Sequence, residues 1–369
     1  MLLIVSETDA VNARGAYSLN SSIRFLVTII AHVALLTRGG ATASRLMKLA
    51  WSVIIGLAIV DLVWIAMTDL RLAPSSWIAI VRVISFSLFA ALLCELISQR
   101  LQGKNDPIGR LLKLVADCLG TVTVAMVAFA LLAAVVIIFC CLAAGAALPL
   151  QDLRLAALDA SLGLDWKSFV ALANSNDLIS RILLVAYQNT GGVVFATMLW
   201  LCLSKRLERL AEFLTMLCLT AIGTAAGMLI LPAAGAYSLH QPALDAFGNF
   251  GTDAGMWHHK LLMQFRSAHP PLIDFDTPNI NCLVTFPSGH TILGLVTTYA
   301  LRDRLYTFLP ALLINSVMII STLPVGGHYL VDLIASGAVT ASSITFIRSM
   351  KRVRSRTSRS DDNVLAGAT

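Results

Sequence analysis

The sequence has few charged residues. Asp, Glu, Lys and Arg together make up 13% of its 369 residues, whereas hydrophobic residues make up 57%. A soluble domain usually carries about 25% charged residues, and one water-soluble core cannot bury this much apolar side chain. A lipid bilayer can solvate it. The composition therefore argues against an ordinary soluble domain and predicts an integral membrane protein.

Cysteine pairs with the spacing of a zinc or redox site are also absent. All cysteines but Cys282 lie in or beside apolar runs, where they act as small packing residues. Residues 1–20 are polar and include Glu7, Asp9 and Arg14, which does not fit a secretory signal peptide. The first apolar run is therefore predicted to be a retained membrane span.

Apolar runs long enough to cross a bilayer recur along the chain. They predict about nine transmembrane helices, near residues 22–37, 46–68, 76–98, 117–147, 182–204, 211–233, 286–303, 305–323 and 328–348. The expected fold is an all-α, polytopic membrane helical bundle. Residues 1–115 are expected to form N-terminal helices of unassigned role, residues 116–350 the domain that carries the motifs below, and residues 351–369 a basic tail.

Basic residues set the predicted orientation of these helices. Clusters of Lys and Arg follow every second predicted span, and such clusters mark the cytoplasmic side. The alternate connections, including residues 148–181 and 234–285, then lie outside, and the C-terminus is cytoplasmic. Because the net charge of +6 comes from these topology signals, nucleic acid is not expected as a partner.

Two segments have patterns of their own. Residues 148–181 combine apolar residues with acids such as Asp152 and Asp159, which predicts an amphipathic helix in the membrane interface or a re-entrant piece. Gly223 and Gly227 form a small-xxx-small pair, which predicts close packing of the sixth span against another helix.

The residues that can carry chemistry lie at the outer ends of late spans. His328 and Asp332 are four residues apart at the start of a predicted helix, so both lie on one helix face. The carboxylate can accept a proton from one ring nitrogen, which leaves a lone pair on the other. Such an imidazole is a nucleophile for phosphorus. Gly326 and Gly327 leave room for a tetrahedral group, so Gly327 is a candidate phosphate contact.

A second motif, Pro-Ser-Gly-His at residues 287–290, begins another predicted span. Pro287 suits the first helical turn, and the backbone N–H groups after it can bind an anion. Ser288 adds a hydroxyl donor, and His290 can protonate a leaving oxygen as a general acid. Both helices are predicted to begin on the same side of the membrane and to point at one phosphate. An ordinary polar helix end or a satisfied ion pair is the alternative for either motif alone.

The motif at residues 287–290 resembles the second signature of the type 2 phosphatidic acid phosphatase superfamily. The stretch from Ser321 through His328 to Asp332 resembles its third signature, which is Ser-Arg, five residues, His, three residues, Asp. That superfamily includes lipid phosphate phosphatases and vanadium-dependent haloperoxidases, and its fold is a helical bundle.

The resemblance implies a role for each matching residue. His328 is the nucleophile that forms a phosphohistidine, and Asp332 orients it. His290 is the acid that releases the alcohol, while Ser288 and Gly289 contact the phosphate. The chemistry of this family implies no metal and no cofactor.

The sequence departs from the superfamily pattern where phosphate is normally bound. Thr322 stands in place of the Arg of the third signature, and the first signature, Lys, six residues, Arg-Pro, is absent. Lys260 and Arg266 form the nearest basic pair. Arg266 is therefore the first candidate for phosphate binding, with Lys260 and His269 as alternatives.

These departures are similar to the inositol phosphorylceramide synthase-like branch of the superfamily. The Gly-His-Tyr-x-x-Asp core and an acidic outer segment like Asp159 to Trp166 carry this resemblance. It implies a hydroxylated head group, for which Lys260, Asp274 and Asp276 are candidate contacts, with solvated loop acids as the alternative for the two aspartates. A bacterial inner membrane with a periplasmic site is the expected location.

Two classes of function follow from the sequence. The leading one is an enzyme that acts on a membrane lipid phosphate, either as a phosphatase, with water as acceptor, or as a phosphotransferase, with a lipid or polyol hydroxyl as acceptor. The alternative is a transporter or channel for an anionic solute, since helix N-termini and buried polar residues serve such proteins too. Against transport, the spans carry little charge at mid-depth apart from Asp61 and Glu95. The sequence does not predict an oligomeric state.

Overall fold

The computed structural model describes residues 39–241, 248–250, 255–267, 269–278, 280, 283 and 286–366. It is 77% helical, and no strand forms among these residues. The prediction of an all-α, polytopic helical bundle is therefore confirmed. The predicted span at 22–37 and Cys282 lie outside the described residues.

Thirteen helices follow one another along the described chain. They are α1 Gly40–Met67, α2 Pro74–Arg100, α3 Pro107–Gly145, α4 Asp152–Ser161, α5 Trp166–Asn174, α6 Asp177–Gln188, α7 Thr190–Leu203, α8 Leu207–Ile230, α9 Ala236–His240, α10 His259–Phe265, α11 Gly289–Ala300, α12 Leu305–Ser321 and α13 Leu330–Ala366.

Five helices are long and apolar enough to cross a membrane: α1, α2, α3, α8 and the part of α13 that ends at Arg352. Helices α5 and α6, which are bent by 107° relative to each other, add a sixth if they form one span. The predicted spans at 286–303 and 305–323 correspond to the shorter helices α11 and α12. The chain is a multi-pass membrane protein, with fewer full-length spans among its described residues than the nine predicted.

The predicted span at 182–204 is interrupted at Asn189, between α6 and α7. The Asn189 amide and the Thr190 hydroxyl both donate to backbone carbonyls of α6. The two glycines at 191–192 further lower the helix propensity. Because of this break, Tyr187 lies at the end of α6, beside the histidines described below.

Helix α8 lies at the centre of the bundle and packs against α1, α3, α11 and α13. A Cβ atom added to Gly223 would stand 2.6 Å from Val339 of α13, and one added to Gly227 would collide with Pro287. The predicted close packing at this glycine pair is therefore confirmed, and it places α8 directly against both motif-bearing helices.

The first helices and the amphipathic segment surround this centre. Helices α1 and α2 pack against α3, and the predicted boundary at residue 116 falls inside α3. Residues 148–181 form α4, α5 and the start of α6, and the buried side chains of Leu155 and Trp166 belong to the same apolar cluster as Tyr329. The tail predicted at 351–369 continues α13 as helix to Ala366.

Ion pairs hold the end of the bundle opposite to the motifs. Glu212 of α8 is buried and binds Arg209, Arg302 and Lys351 at 2.8–3.0 Å. Arg209 also binds Asp303. These pairs join α8, the connection between α11 and α12, and α13 at the end that the sequence predicts to be cytoplasmic.

Candidate active site

His328 lies in the turn that leads into α13. Its Nδ1 is 3.0 Å from Asp332 Oδ2, and the same oxygen accepts a hydrogen bond from the Tyr329 N–H at 2.9 Å. Both side chains are buried. An ionised Asp332 accepts the proton on Nδ1, so the lone pair of the His328 imidazole lies on Nε2. The pairing predicted from the four-residue spacing is present.

Helices α4 and α5 hold this turn in place. Asp159 accepts hydrogen bonds from the N–H groups of Leu330 and Val331 at 2.8 and 2.9 Å, and Trp166 donates its indole N–H to the His328 carbonyl at 3.1 Å. Burial raises the pKa of the Asp159 carboxyl, while the two backbone hydrogen bonds act against that rise. Because Asp159 occupies these amides, the beginning of α13 is not an open anion site.

Asp152 fixes a second segment. Its carboxylate accepts hydrogen bonds from the N–H groups of Ala234 and Gly235 at 2.9–3.1 Å and from the Tyr329 hydroxyl at 3.1 Å. Asp152 precedes Asp159 by about two helical turns, so both acids lie on one face of α4. Neither acid is among the site residues predicted from the sequence, although their spacing indicates that they share one helix face.

Ser288 links the two motifs through its backbone. Its hydroxyl accepts a hydrogen bond from the Thr291 N–H at 3.4 Å and caps α11. The Ser336 hydroxyl of α13 contacts the Ser288 carbonyl at 3.0 Å and the Asp332 carbonyl at 2.6 Å. The sequence predicts a phosphate contact for Ser288. The structure instead buries its side chain as a helix cap, outside the lining of the cavity described next.

His290 and His328 line one cavity of about 430 Å³. Tyr187 stacks on His290, with ring centroids 4.1 Å apart. A Cβ atom added to Gly326 would stand 2.9 Å from His328 Cδ2 and 3.0 Å from Tyr187. A glycine is therefore needed at position 326, and the two imidazoles belong to a single site, as the two motifs predict.

The rest of the cavity extends between membrane helices. Helices α3, α8 and α11 line it with the apolar side chains of Phe129, Leu132, Val136, Leu217, Ile292 and Leu293. A polar group held at the histidines would thus be followed by apolar space inside the bundle. Such a lining fits the acyl chain of a lipid.

The basic residues that the sequence suggests for phosphate binding lie outside the cavity lining. Arg266 follows the last residue of α10, and its guanidinium donates to the Leu148 carbonyl at 2.8 Å. Lys260 and His269 are exposed. Within the described part of the chain, no Lys or Arg lines the cavity. Arg266 and Lys260 are therefore close to the motifs in sequence but lie outside the lining of the cavity that contains the imidazoles.

The acidic head-group candidates also lie outside the cavity lining. Asp274 accepts hydrogen bonds from the Ser75 hydroxyl at 2.9 Å and from the Asp276 N–H at 3.2 Å. Asp276 is exposed. Asp274 therefore fastens its loop to the beginning of α2. The sequence does not predict this contact, because Ser75 and Asp274 are far apart along the chain.

Of the two glycines predicted to contact phosphate, Gly289 lines the cavity and Gly327 does not. Gly327 has a φ of 68°, and its carbonyl accepts a hydrogen bond from the Ala236 N–H at 2.8 Å. A Cβ atom there would stand 2.7 Å from the Gly255 carbonyl oxygen. Gly327 therefore shapes the loop, whereas its neighbour Gly326 lines the cavity.

The structure thus defines a helical membrane protein with a His–Asp pair and further histidines around one cavity. A family model described as the PAP2 superfamily matches residues 153–346. Because the match covers more than half of the chain, the protein belongs to the PAP2 superfamily, and this membership supports phosphatase or phosphotransferase activity in general. The match supports the superfamily and leaves the inositol phosphorylceramide synthase-like branch a prediction. Searches of curated proteins and of solved structures gave no match.

Proposed function

We propose that this protein transfers phosphate, or a phosphate-bearing head group, from a membrane lipid through a phosphohistidine on His328 at the outer membrane face. Superfamily membership supports phosphatase or phosphotransferase chemistry. One observation carries the choice of a lipid: the cavity at His290 and His328 continues as apolar space between α3, α8 and α11. This lining favours an acyl chain over a soluble phosphate ester.

The proposed mechanism has two steps. Burial and the nearby His328 lower the pKa of His290 to about 4, so the reactive form is the fraction of the enzyme in which His290 is protonated. Nε2 of His328 attacks phosphorus and forms a P–N bond, the P–O bond to the leaving alcohol breaks, and the protonated His290 donates its proton to the leaving oxygen. Asp332, 3.0 Å from Nδ1, stabilises the positive charge on the imidazole. In the second step, His290 takes a proton from the acceptor hydroxyl, whose oxygen attacks phosphorus and releases His328.

The acceptor decides between the two activities. Water makes the protein a lipid phosphatase, and a lipid or polyol hydroxyl makes it a phosphotransferase. An apolar cavity favours an acceptor that the membrane delivers and limits water, so we propose transfer as the main outcome. This choice agrees with the resemblance to the inositol phosphorylceramide synthase-like branch.

Ala133→Trp is expected to separate lipid from soluble substrates. Ala133 lines the apolar part of the cavity, so an indole there occupies the space of an acyl chain. We expect turnover of phosphatidate in mixed micelles to fall about 10-fold or more, and turnover of p-nitrophenyl phosphate to stay within about twofold. Ala134→Trp is the control, because Ala134 is also half-buried but lies outside the cavity lining. Equal losses for the two substrates contradict a lipid site.

His290→Ala is expected to show an effect that depends on the leaving group. A lipid alcohol needs a proton as it leaves, so kcat/KM for phosphatidate should fall about 10²- to 10⁴-fold. The p-nitrophenolate ion leaves without a proton, and its kcat/KM should fall much less. The comparison reports the first step, up to the phosphoenzyme. Equal losses for the two substrates would show that His290 is not the acid.

A further inference from the structure

The charge of the cavity poses a problem for phosphate binding. A phosphate monoester carries about −1.5 to −2 charges near neutral pH, because its second pKa is about 6. Arg and Lys are the usual partners of such a group, yet among the described residues neither type lines the cavity. Besides His290 and His328, the cavity lining includes His258, which neither motif contains.

His258 is built into the site by several contacts. Its side chain is buried, and its Nε2 lies 2.9 Å from the Ala234 carbonyl oxygen. Asp152 holds the Ala234 and Gly235 amides and also binds Tyr329, the residue after His328. The position of the His258 ring is therefore set by the same carboxylate that supports the nucleophile.

Two backbone hydrogen bonds fasten this region to the loop ahead of His328. The Gly255 N–H donates to the Val325 carbonyl at 2.9 Å, and the Ala236 N–H donates to the Gly327 carbonyl at 2.8 Å. Two segments that neighbour His258 are thus hydrogen-bonded to the residues that precede His328.

The protonation state of His258 follows from these surroundings. Burial lowers the pKa of His258 to about 4; the nearby His328 and His259 act in the same direction, while the Ala234 carbonyl and Asp152 oppose the shift. The imidazole is therefore neutral near pH 7. Since Nε2 faces a carbonyl oxygen, its proton lies on Nε2 and donates there. The other ring nitrogen, Nδ1, then carries the lone pair and can accept a hydrogen bond.

We propose that His258 is a third histidine of the site and that its Nδ1 binds the substrate phosphate as a monoanion, by accepting a hydrogen bond from the protonated phosphate oxygen. This inference rests on the proposed function, because it assumes that the cavity receives a phosphate monoester. A dianion from solution must take up one proton to bind in this way. Among the residues that the structure describes, His258 thereby replaces the Arg or Lys that the cavity lining lacks, without placing a permanent charge in a buried site.

His258→Gln tests this role, with His259→Gln as the matched control. The glutamine amide can keep the bond to the Ala234 carbonyl, but it has no group at the position of Nδ1. His259 is the adjacent residue and lies outside the cavity lining. We expect His258→Gln to raise the inhibition constant of inorganic phosphate and the KM for phosphatidate about 10- to 100-fold. His259→Gln should leave both nearly unchanged.

The pH dependence gives a readout that a merely structural role would not change. Above the second phosphate pKa, the inhibition constant of the full-length wild type should rise about tenfold per pH unit, because each bound phosphate takes up a proton. This slope should decrease by about one in His258→Gln. Isothermal titration of wild type with phosphate in buffers of different ionisation enthalpy should show uptake of about one proton per phosphate bound.

The outcomes separate this inference from the proposed function. If His258→Gln matches His259→Gln, or keeps the wild-type slope, His258 does not bind phosphate, whatever His328 does. If His258→Gln does not fold, the same titration of His290→Ala decides, because His290 also lines the cavity and could itself take up a proton. Uptake of no proton by His290→Ala overturns the inference. If His328→Ala turns over lipid phosphate as the wild type does, the proposed function fails and this inference fails with it.

Discussion

His328→Ala is expected to abolish turnover of lipid phosphate, with kcat reduced by about 10⁴- to 10⁶-fold. The substitution removes the atom that forms the P–N bond, and the neighbouring imidazoles cannot replace it: His290 stacks on Tyr187, and His258 is bonded to the Ala234 carbonyl. The measurement is phosphate release or transfer from phosphatidate by purified protein in mixed micelles.

This prediction needs a control for folding, because His328 is buried. Thermal unfolding of the variant should remain cooperative and close to that of the wild type, and His259→Ala should keep nearly full activity. A folded His328→Ala protein with activity within about tenfold of the wild type would contradict a nucleophilic role. If neither the variant nor the wild type shows turnover of any phosphate ester, the transporter alternative gains support.

Asp332→Asn is expected to reduce kcat by about 10³- to 10⁴-fold with the fold retained, because the two side chains have nearly the same shape. The Asp332 carboxylate accepts hydrogen bonds from both His328 and the Tyr329 N–H. Because Oδ2 accepts both of these bonds, an asparagine oxygen in its place can keep both, and the negative charge beside Nδ1 is what the substitution removes. The positive charge that forms on the imidazole when Nε2 attacks phosphorus is then no longer stabilised.

Asp159→Asn is the matched comparison for this variant. Asp159 is also buried beside the start of α13, but it binds the Leu330 and Val331 amides and not an imidazole. The asparagine oxygen can still accept one of these bonds, so we expect a loss of about tenfold or less. Equal losses of kcat in the two variants would indicate that Asp332 supports the structure and does not act through the His328 imidazole.

Much of the fold could be predicted from the sequence because apolar runs report directly on membrane spans. α1, α2, α3, α8 and α13 lie where such runs predict them. The interruption at Asn189 could not be predicted from hydropathy, since Asn189, Thr190 and two glycines form a short break inside an otherwise apolar run. Its cause is local hydrogen bonding of the polar side chains, which a hydropathy average does not detect.

For the candidate site, too, local features could be predicted from the sequence, whereas tertiary contacts could not. The pair of His328 and Asp332 is local in sequence, so helical spacing alone places both groups together. His258 and Ser336 reach the site only through tertiary packing, and no short-range pattern marks them. Arg266 is close to the motifs along the chain, but its guanidinium donates to the Leu148 carbonyl and lies outside the cavity lining, a tertiary contact that the sequence does not predict.

The central claim is that His328 carries the phosphate covalently, and the most direct measurement is to trap that species. Wild-type protein and His328→Ala are mixed with radiolabelled lipid phosphate, quenched in alkali within the first turnover, digested and mapped. The account predicts an alkali-stable, acid-labile label on the peptide that contains His328, and no label on the variant. Turnover by the wild type with the label on His290, or with no protein-bound label at all, would contradict it.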